Sequence, residues 1–544
     1  MTHERDDTER STADIIQLER HEPDYRPVVR LEAGLYTQLA ERIERAIHAK
    51  RLPLYVGAVG LVYPAGRNVE TAEEVSITVT QLVPVTTPVM LQFMDQATRF
   101  ERYDRRSSQW LAVKPPRDIA ELIIARRGFW PFPEVHGVIA APTIGADGNF
   151  VSKDGVDAKS KLLLAGAPVV EMAKLPTRED ALAGLEVLEG LLAEYQFSDE
   201  SSRSVALSML ITPLMRGLVP LAPLHCVSAP VAGSGKSYLA SLASGIATGR
   251  YCPVIPPANK EEEFEKRLIG AMLAGMPIVS FDNVNGVLDS STLCQALEQR
   301  IIEVRPLGTS TLCTVEQRMT WLANGNNIQI AQDLTRRSIM CRVDRNEERP
   351  ELHEYDERPF EQVIRNRAKY IAAALTIVRA YIVAGRPGKL APLASYEQWS
   401  DSVRSALVWL GCADPCETML AVRASDGRLQ QLGTLFAAWA SSLGLGMEYP
   451  AKQVITVAHS RKTGSGGPHG EPAMEPDSQL WDAIYECCGA KGAIEPKALG
   501  NFLKNVVDRV VTLDLGEGKS VLVKMIKSDE MHRDNVARWI LKML

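Results

Sequence analysis

Apolar and polar positions divide the chain into elements before any chemistry is considered. Leu39, Ile43, Ala46 and Ile47 form one stripe and Glu41, Arg42, Glu44 and Arg45 the opposite one, which predicts an amphipathic helix over 35–49. Strand-like runs follow at 54–63 and 77–83, the second ended by Pro84, and two more are expected at 90–94 and 98–103. A short helix is expected at 119–125, then turns and short strands over 129–157. Helical spacing returns at 176–194 and 205–215. Beyond it, short buried runs at 224–227, 276–281, 319–322 and 339–343 alternate with helical stretches, the pattern of a parallel α/β sheet. Further helices are expected at 360–383, 396–410 and 429–442. Residues 461–476 hold Gly, Pro, Ser and charge with almost nothing apolar, which predicts a flexible linker. Behind it come two helical segments and two β-like runs around Gly516-Glu517-Gly518, the order of a small winged helix.

The expected organisation is a charged leader (1–27), an α+β domain (28–175), an α/β core with a helical lead-in (176–345), a helical region (346–455), a linker (456–478) and a winged-helix-like domain (479–544). A chain of 544 residues is too long for one core, which supports several domains. Its 45% apolar and 24% charged content is that of an ordinary globular protein. The nine cysteines show neither Cys-x-x-Cys nor zinc-ligand spacing, so reduced thiols are expected. No apolar run reaches membrane length, so no membrane partner and a cytoplasmic location are expected. The net charge of -6 gives no global nucleic-acid signal but leaves room for a local basic patch.

The densest chemistry follows the run at 224–227. Pro230-Val231-Ala232-Gly233-Ser234-Gly235-Lys236-Ser237 lies between a strand and a helix that opens at Tyr238. Glycines let successive amides turn inward around phosphate, and the helix start adds free N–H groups. Lys236 is expected to reach the β- and γ-phosphates of ATP, and the Ser237 hydroxyl to ligate Mg²⁺. Pro230 stands where the usual pattern has Gly. Asp282 ends the run at 276–281 and is the second expected Mg²⁺ ligand. Asn283 follows it where a water-polarising Glu is common, and an amide cannot take a proton from water. Glu262, Glu263, Glu265 and Glu303 stay open as bases. Asn324 is the first candidate for a water-positioning amide and Asn327 the second. Arg336, with Arg337 in reserve, is the candidate for a guanidinium reaching the nucleotide of a neighbouring subunit. Arg365 and Arg367 are weaker candidates for an arginine acting within the same subunit.

This order of Pro230 to Ser237, Phe281-Asp282-Asn283, Asn324 to Asn327 and Asp333 to Arg337 resembles the nucleotide motifs, sensor 1 and arginine finger of the AAA+ ATPases. Ser280 to Gly286, Arg305-Pro306-Leu307-Gly308, Trp130-Pro131-Phe132-Pro133 and the stretch from Trp399 to Leu410 are similar to AAA+ replicative helicases and primase-associated ATPases of prophages, plasmids and integrative elements, distantly MCM-like. The resemblance covers most of 110–445. It implies an α/β P-loop NTPase (AAA+) core with an N-terminal α+β domain, a helical segment and a C-terminal winged-helix-like domain. It also implies an ATP-dependent DNA helicase, a hexameric ring around single-stranded DNA, and a primase or origin-binding partner. In that setting 298–305 is expected to form a pore-lining hairpin on which Arg300 and Arg305 meet phosphates. A loader or remodelling ATPase, or a slow nucleotide-gated switch, would carry the same nucleotide motifs.

Overall fold

Met90, Phe93, Met94 and Ala97 are all buried on one helix, α2 (Thr87–Ala97), where the pattern at 90–94 suggested a strand. Their i, i+3, i+4, i+7 spacing shows only when the window reaches Ala97, and Pro88 at the helix start fits the first turn. The structure is a computed structural model. It describes residues 24–32, 34–70, 76–256, 260–284, 286–307, 312–345, 347, 358–424, 427–459, 461–466, 472–475, 478–490, 493–514, 520–528 and 536–544. Most of the expected leader lies outside these residues.

The chain separates into two units, one made of 1–65 and 82–135, the other of 66–81 and 136–544. In the first, β1 (Val28–Arg30), β5 (Arg99–Asp104) and β6 (Gln109–Val113) form one sheet in the order β1-β5-β6. α1 (Tyr36–Ala49), α2 and α3 (Arg117–Ala125) share a core with Val29 and Phe100 through Leu39, Ile43, Ile47, Phe93, Met94, Ile119 and Ile123. The run expected as one strand at 54–63 is two, β2 (Tyr55–Gly57) and β3 (Gly60–Glu70), paired antiparallel. Gly60 at φ 126 permits the tight reversal that splits them. β4 (Ser76–Pro84) joins β3.

The second unit is built on five parallel strands. They are β7 (Leu224–Ala229), β8 (Val254–Ile255), β9 (Ile278–Phe281), β12 (Thr320–Asn326) and β13 (Ser338–Arg342), in the order β8-β9-β12-β7-β13. β10 (Ile301–Val304) and β11 (Cys313–Glu316) form a separate hairpin between β9 and β12 in sequence. All of β7 and β9 is buried, as a parallel sheet covered on both faces requires. α4 (Arg178–Gly190), α5 (Glu200–Ile211), α6 (Lys236–Thr248), α9 (Pro359–Arg365) and α10 (Arg367–Val383) contribute to one core with the sheet.

The C-terminal module is a small sheet with helices, of winged-helix-like form. β14 (Glu448–Pro450), β15 (Val510–Asp514), β16 (Ser520–Lys527) and β17 (Arg538–Met543) lie in the order β14-β17-β16-β15. Its core includes Leu432, Phe436 and Trp439 of α11 (Gly427–Leu443) and Val454 of α12 (Ala451–His459), besides Leu480, Leu499 and Leu541. This core draws on α12, which precedes 461–476, and on Leu480, which follows it. The stretch 461–476 itself carries two short strands, Arg461–Gly466 and Pro472–Glu475, paired antiparallel. Its composition read as a tether because it lacks apolar residues, but a connection leaving and re-entering one core looks the same in sequence.

Among the described residues no helix is long and apolar enough to cross a membrane, and no His, Cys, Asp or Glu cluster could hold a metal ion. All nine cysteines are free.

Candidate nucleotide site

β7 delivers the chain to the loop at Pro230, and α6 leaves it at Lys236. Gly233 and Gly235 take φ 79 and 82, the left-handed region that favours glycine. A Cβ on Gly235 would also sit 3.2 Å from the Tyr195 ring. Ser234 Oγ and Lys236 Nζ both donate to the Val231 carbonyl, at 2.8 and 2.9 Å. Burial lowers the Lys236 pKa, and Asp282 opposes that shift. Pro230 and Ala232 are exposed at the loop, and Tyr238 lies in the first turn of α6. The glycine geometry, the helix start and the lysine together form a cradle suited to a phosphate chain.

β12 lies between β7 and β9, so Asn324 faces the end of β9 across one strand spacing. Asp282 follows β9 and accepts a hydrogen bond from Ser237 Oγ at 2.9 Å. Asn324 is 1% exposed. Its Oδ1 accepts from the Asn283 amide at 3.3 Å and its Nδ2 donates to Ser280 Oγ at 3.2 Å. Asn283 stands at φ 57, a conformation Asn tolerates better than Glu. That gives a backbone reason for the residue at this position. Asn327, also left-handed at φ 46, donates its amide to Ala229 O at the loop entrance. None of the four open carboxylates hydrogen-bonds to Ser237, Asp282, Asn283 or Asn324 among the described residues. Glu263 pairs with Lys266 and Arg267, Glu303 accepts from Thr314 on the hairpin, and Glu262 and Glu265 are exposed on α7 (Glu261–Leu273).

A cavity of about 510 Å³ opens beside Gly233 and Gly235, lined by Tyr195, Tyr238, Tyr251, Arg358 and Phe360 among others. Tyr251 stacks on Phe360 with centroids 3.9 Å apart, and Tyr238 Oη accepts the Phe360 amide at 2.8 Å. Sequence reasoning missed this wall except for Tyr238, because its members come from segments that no motif spacing links.

The arginines sort differently from the sequence expectation. Arg337 is 4% exposed and donates to Glu298 Oε2 at 2.6 Å, at the end of α8 (Ser291–Glu298). Burial works against its charge, and the Glu298 hydrogen bond overrides that. The side chain of Arg336 is 52% exposed, with only loose approaches to Asp333 and Glu298 at 3.6 and 4.0 Å. Both precede β13, whose Ser338 pairs with Leu224 at the end of β7 away from the loop. Five residues at about 3.3 Å each put that end roughly 17 Å from Ala229. Arg367 is a structural residue. It donates to Ile246 O and Ala247 O at the C-terminus of α6, and burial lowers its pKa to about 10. Arg365 pairs loosely with Glu361 at 3.7 Å. The hairpin expected within 298–305 is larger and shifted: Glu298 ends α8, 301–304 supplies only the first strand, β10, and the returning strand, β11, comes from 313–316. Arg300 pairs with Glu316 at 2.7 Å at the hairpin base, and Arg305 follows β10 toward the tip.

No family model and no curated protein matches the chain. Among solved structures it is similar to the apo C-terminal region of NrS-1, at 11% identity and TM-score 0.32, over 83% of this chain and 99% of that one. A second form of that region, residues 305–718, gives 11% identity and TM-score 0.37 over 92% and 98%. A JCV helicase bound to a small molecule gives 13% identity and TM-score 0.19 over 48% and 72%. Identities this low leave the functional case to the residues of the site.

Proposed function

We propose that the chain is an ATP-dependent DNA helicase or translocase of a mobile genetic element, a homo-oligomer of hexameric type that hydrolyses ATP at subunit interfaces and moves on single-stranded DNA. The observation that supports the reading is Arg336: it is exposed and precedes β13 at the end of the sheet away from its own phosphate loop, a position suited to serving the nucleotide of another subunit. Gly233 to Ser237 bind the phosphates, the aromatic cavity takes the base, and Ser237 with Asp282 holds Mg²⁺. The metal supplies charge neutralisation between phosphates. Asn324 fixes the Asn283 turn and orients water. Arg336 stabilises charge on the transferred phosphoryl group of the neighbour. Arg305 on the hairpin meets the DNA backbone, and Arg300 steadies the hairpin base. The C-terminal module takes an origin sequence or a primase. A loader or slow switch remains the second reading, favoured by the left-handed Asn283, which leaves no carboxylate next to Asp282.

The test mixes Lys236→Ala with Arg336→Ala, each inactive alone, under conditions in which native mass spectrometry shows subunit exchange. Interfaces that unite an intact Lys236 with an intact Arg336 restore part of the ATPase activity, and single-stranded DNA raises it. Exchange without recovery removes the trans arginine. Recovery that ignores DNA favours the loader or switch.

A further inference from the structure

Tyr103 on β5 stands directly opposite Trp110 on β6, with ring centroids 5.6 Å apart and planes at 64°. Strand alternation puts both on the face opposite Phe100, which is buried in the core of this unit. The pair is therefore on the outer face, where Tyr103 is 47% exposed. Arg30 of the neighbouring β1 places its guanidinium 4.6 Å from the Trp110 centroid and pairs loosely with Glu101 at 3.5 Å. The turn beyond Tyr103 exposes Arg105 and Arg106. Asp104 is committed to that turn, accepting from the amides of Arg106 and Ser107 and from the Ser107 hydroxyl. Between 99 and 117 the chain has six basic residues against two acidic ones, in a protein whose net charge is -6.

A cross-strand aromatic pair stabilises a hairpin unaided. It does not require a cationic surround or a half-exposed ring. A half-exposed Tyr ring, a Trp ring capped by Arg30 and two unburied arginines on the adjoining turn are the groups a single strand of nucleic acid uses: a base stacks on the Tyr ring or takes the place of Arg30 over the Trp ring, and phosphates meet the arginines, without sequence preference.

We propose that the β5–β6 hairpin is a second nucleic-acid site, a stacking platform for single-stranded DNA or RNA formed by Tyr103 and Trp110 with Arg30, Arg105 and Arg106. It rests on the proposed function only in that the chain acts on nucleic acid. It requires neither ATP nor subunit contact.

The test titrates the full chain, without nucleotide, against fluorescein-labelled oligothymidylate and oligouridylate. Tyr103→Ala with Trp110→Ala weakens binding roughly tenfold or more, while Tyr103→Phe with Trp110→Phe stays within about twofold of the parent. Arg105→Ala with Arg106→Ala flattens the log–log salt dependence by about 0.7 per arginine. DNA-independent ATPase activity is unchanged in all three. Parental affinity in the double alanine variant overturns the platform, as does a Phe pair that binds as weakly as the Ala pair. If the alanine pair lowers the melting temperature, the arginine pair decides, because both side chains lie on the exposed turn. A parent that binds the strand without any DNA-stimulated ATPase would sink the helicase reading and leave this one standing.

Discussion

Ser237 Oγ donates to Asp282 Oδ1 at 2.9 Å, which joins the first turn of α6 to the end of β9. Two hard oxygen ligands at this separation suit Mg²⁺, which binds through one or two protein oxygens and retains waters. Asp282→Asn and Ser237→Ala are expected to keep nucleotide binding within about tenfold and to lose hydrolysis by 10²-fold or more, since the metal acts on developing charge. Lys236→Ala is expected to lose binding itself. Titration with a fluorescent ATP analogue, with and without Mg²⁺, separates the two. Equal binding loss in all three variants argues against the metal assignment.

The turn that follows Asp282 depends on a glycine of β12, well beyond β9 in sequence but adjacent to it in the sheet. A Cβ at Gly325 would lie 2.2 Å from Val284 O, a backbone atom that cannot swing aside. Gly325→Ala should push the 282–284 turn outward, destabilise the protein by about 1–3 kcal/mol and depress ATPase activity further than the melting temperature explains. Asn283→Gly keeps the left-handed backbone and should be near neutral in stability. Asn283→Glu should cost about 1 kcal/mol and give no faster turnover, because strain displaces the new carboxylate. A rate gain in Asn283→Glu at unchanged stability would show that the turn is not constrained.

Glu44 in α1 is buried beside Arg126 at 3.4 Å, and burial raises its pKa to about 7 while Arg126 pulls the other way. The folded value lies above the usual one of 4.5. The unfolded chain therefore releases this proton first, and stability falls as pH rises from about 4.5 to 7, then levels off. Glu44→Gln should remove that slope and stabilise the N-terminal unit at pH 8 by the order of 1–3 kcal/mol. Hydrogen exchange of the α1 amides in parent and variant, at pH 5 and pH 8, measures it after correction for intrinsic rates. Parallel pH profiles would refute the assignment.

The legible parts of this protein were those whose logic is local. The loop from Gly233 to Ser237 and the acid ending β9 announce themselves because backbone turn, helix start and ligand types occur within a few residues. The fold class followed from strands alternating with helices. What stayed hidden depends on who arrives from elsewhere. Arg336 and Arg337 are neighbours in sequence, yet Arg337 is buried with hydrogen bonds to Glu298 and to the Asp333 carbonyl while Arg336 is half exposed. Tyr195, Tyr251 and Phe360 line one cavity from three separate segments. α2 was misread because five residues of its apolar stripe fit a strand as well as a helix.

The C-terminal boundary is the remaining case, and its consequence is measurable. Leu432, Leu435, Phe436, Trp439 and Leu443 lie on one side of α11 and are buried in the same core as Leu480, Leu503, Met525 and Leu541. Trp439 is fully buried and meets Tyr449 edge to face, with centroids 6.5 Å apart. A fragment starting near residue 477 lacks this wall and β14, so its sheet loses an edge strand and its helices α13 (Ser478–Cys488) and α14 (Pro496–Asn505) expose their apolar side. Limited proteolysis is therefore expected to leave a resistant fragment that retains α11, and mass spectrometry of the digest identifies its first residue. Expressed alone, 427–544 should melt cooperatively, whereas 477–544 should not. Trp439→Ala in the longer fragment should cost about 3–5 kcal/mol, enough to abolish its transition. A cooperative melt from the shorter fragment would restore the tethered module that the composition of 461–476 suggested.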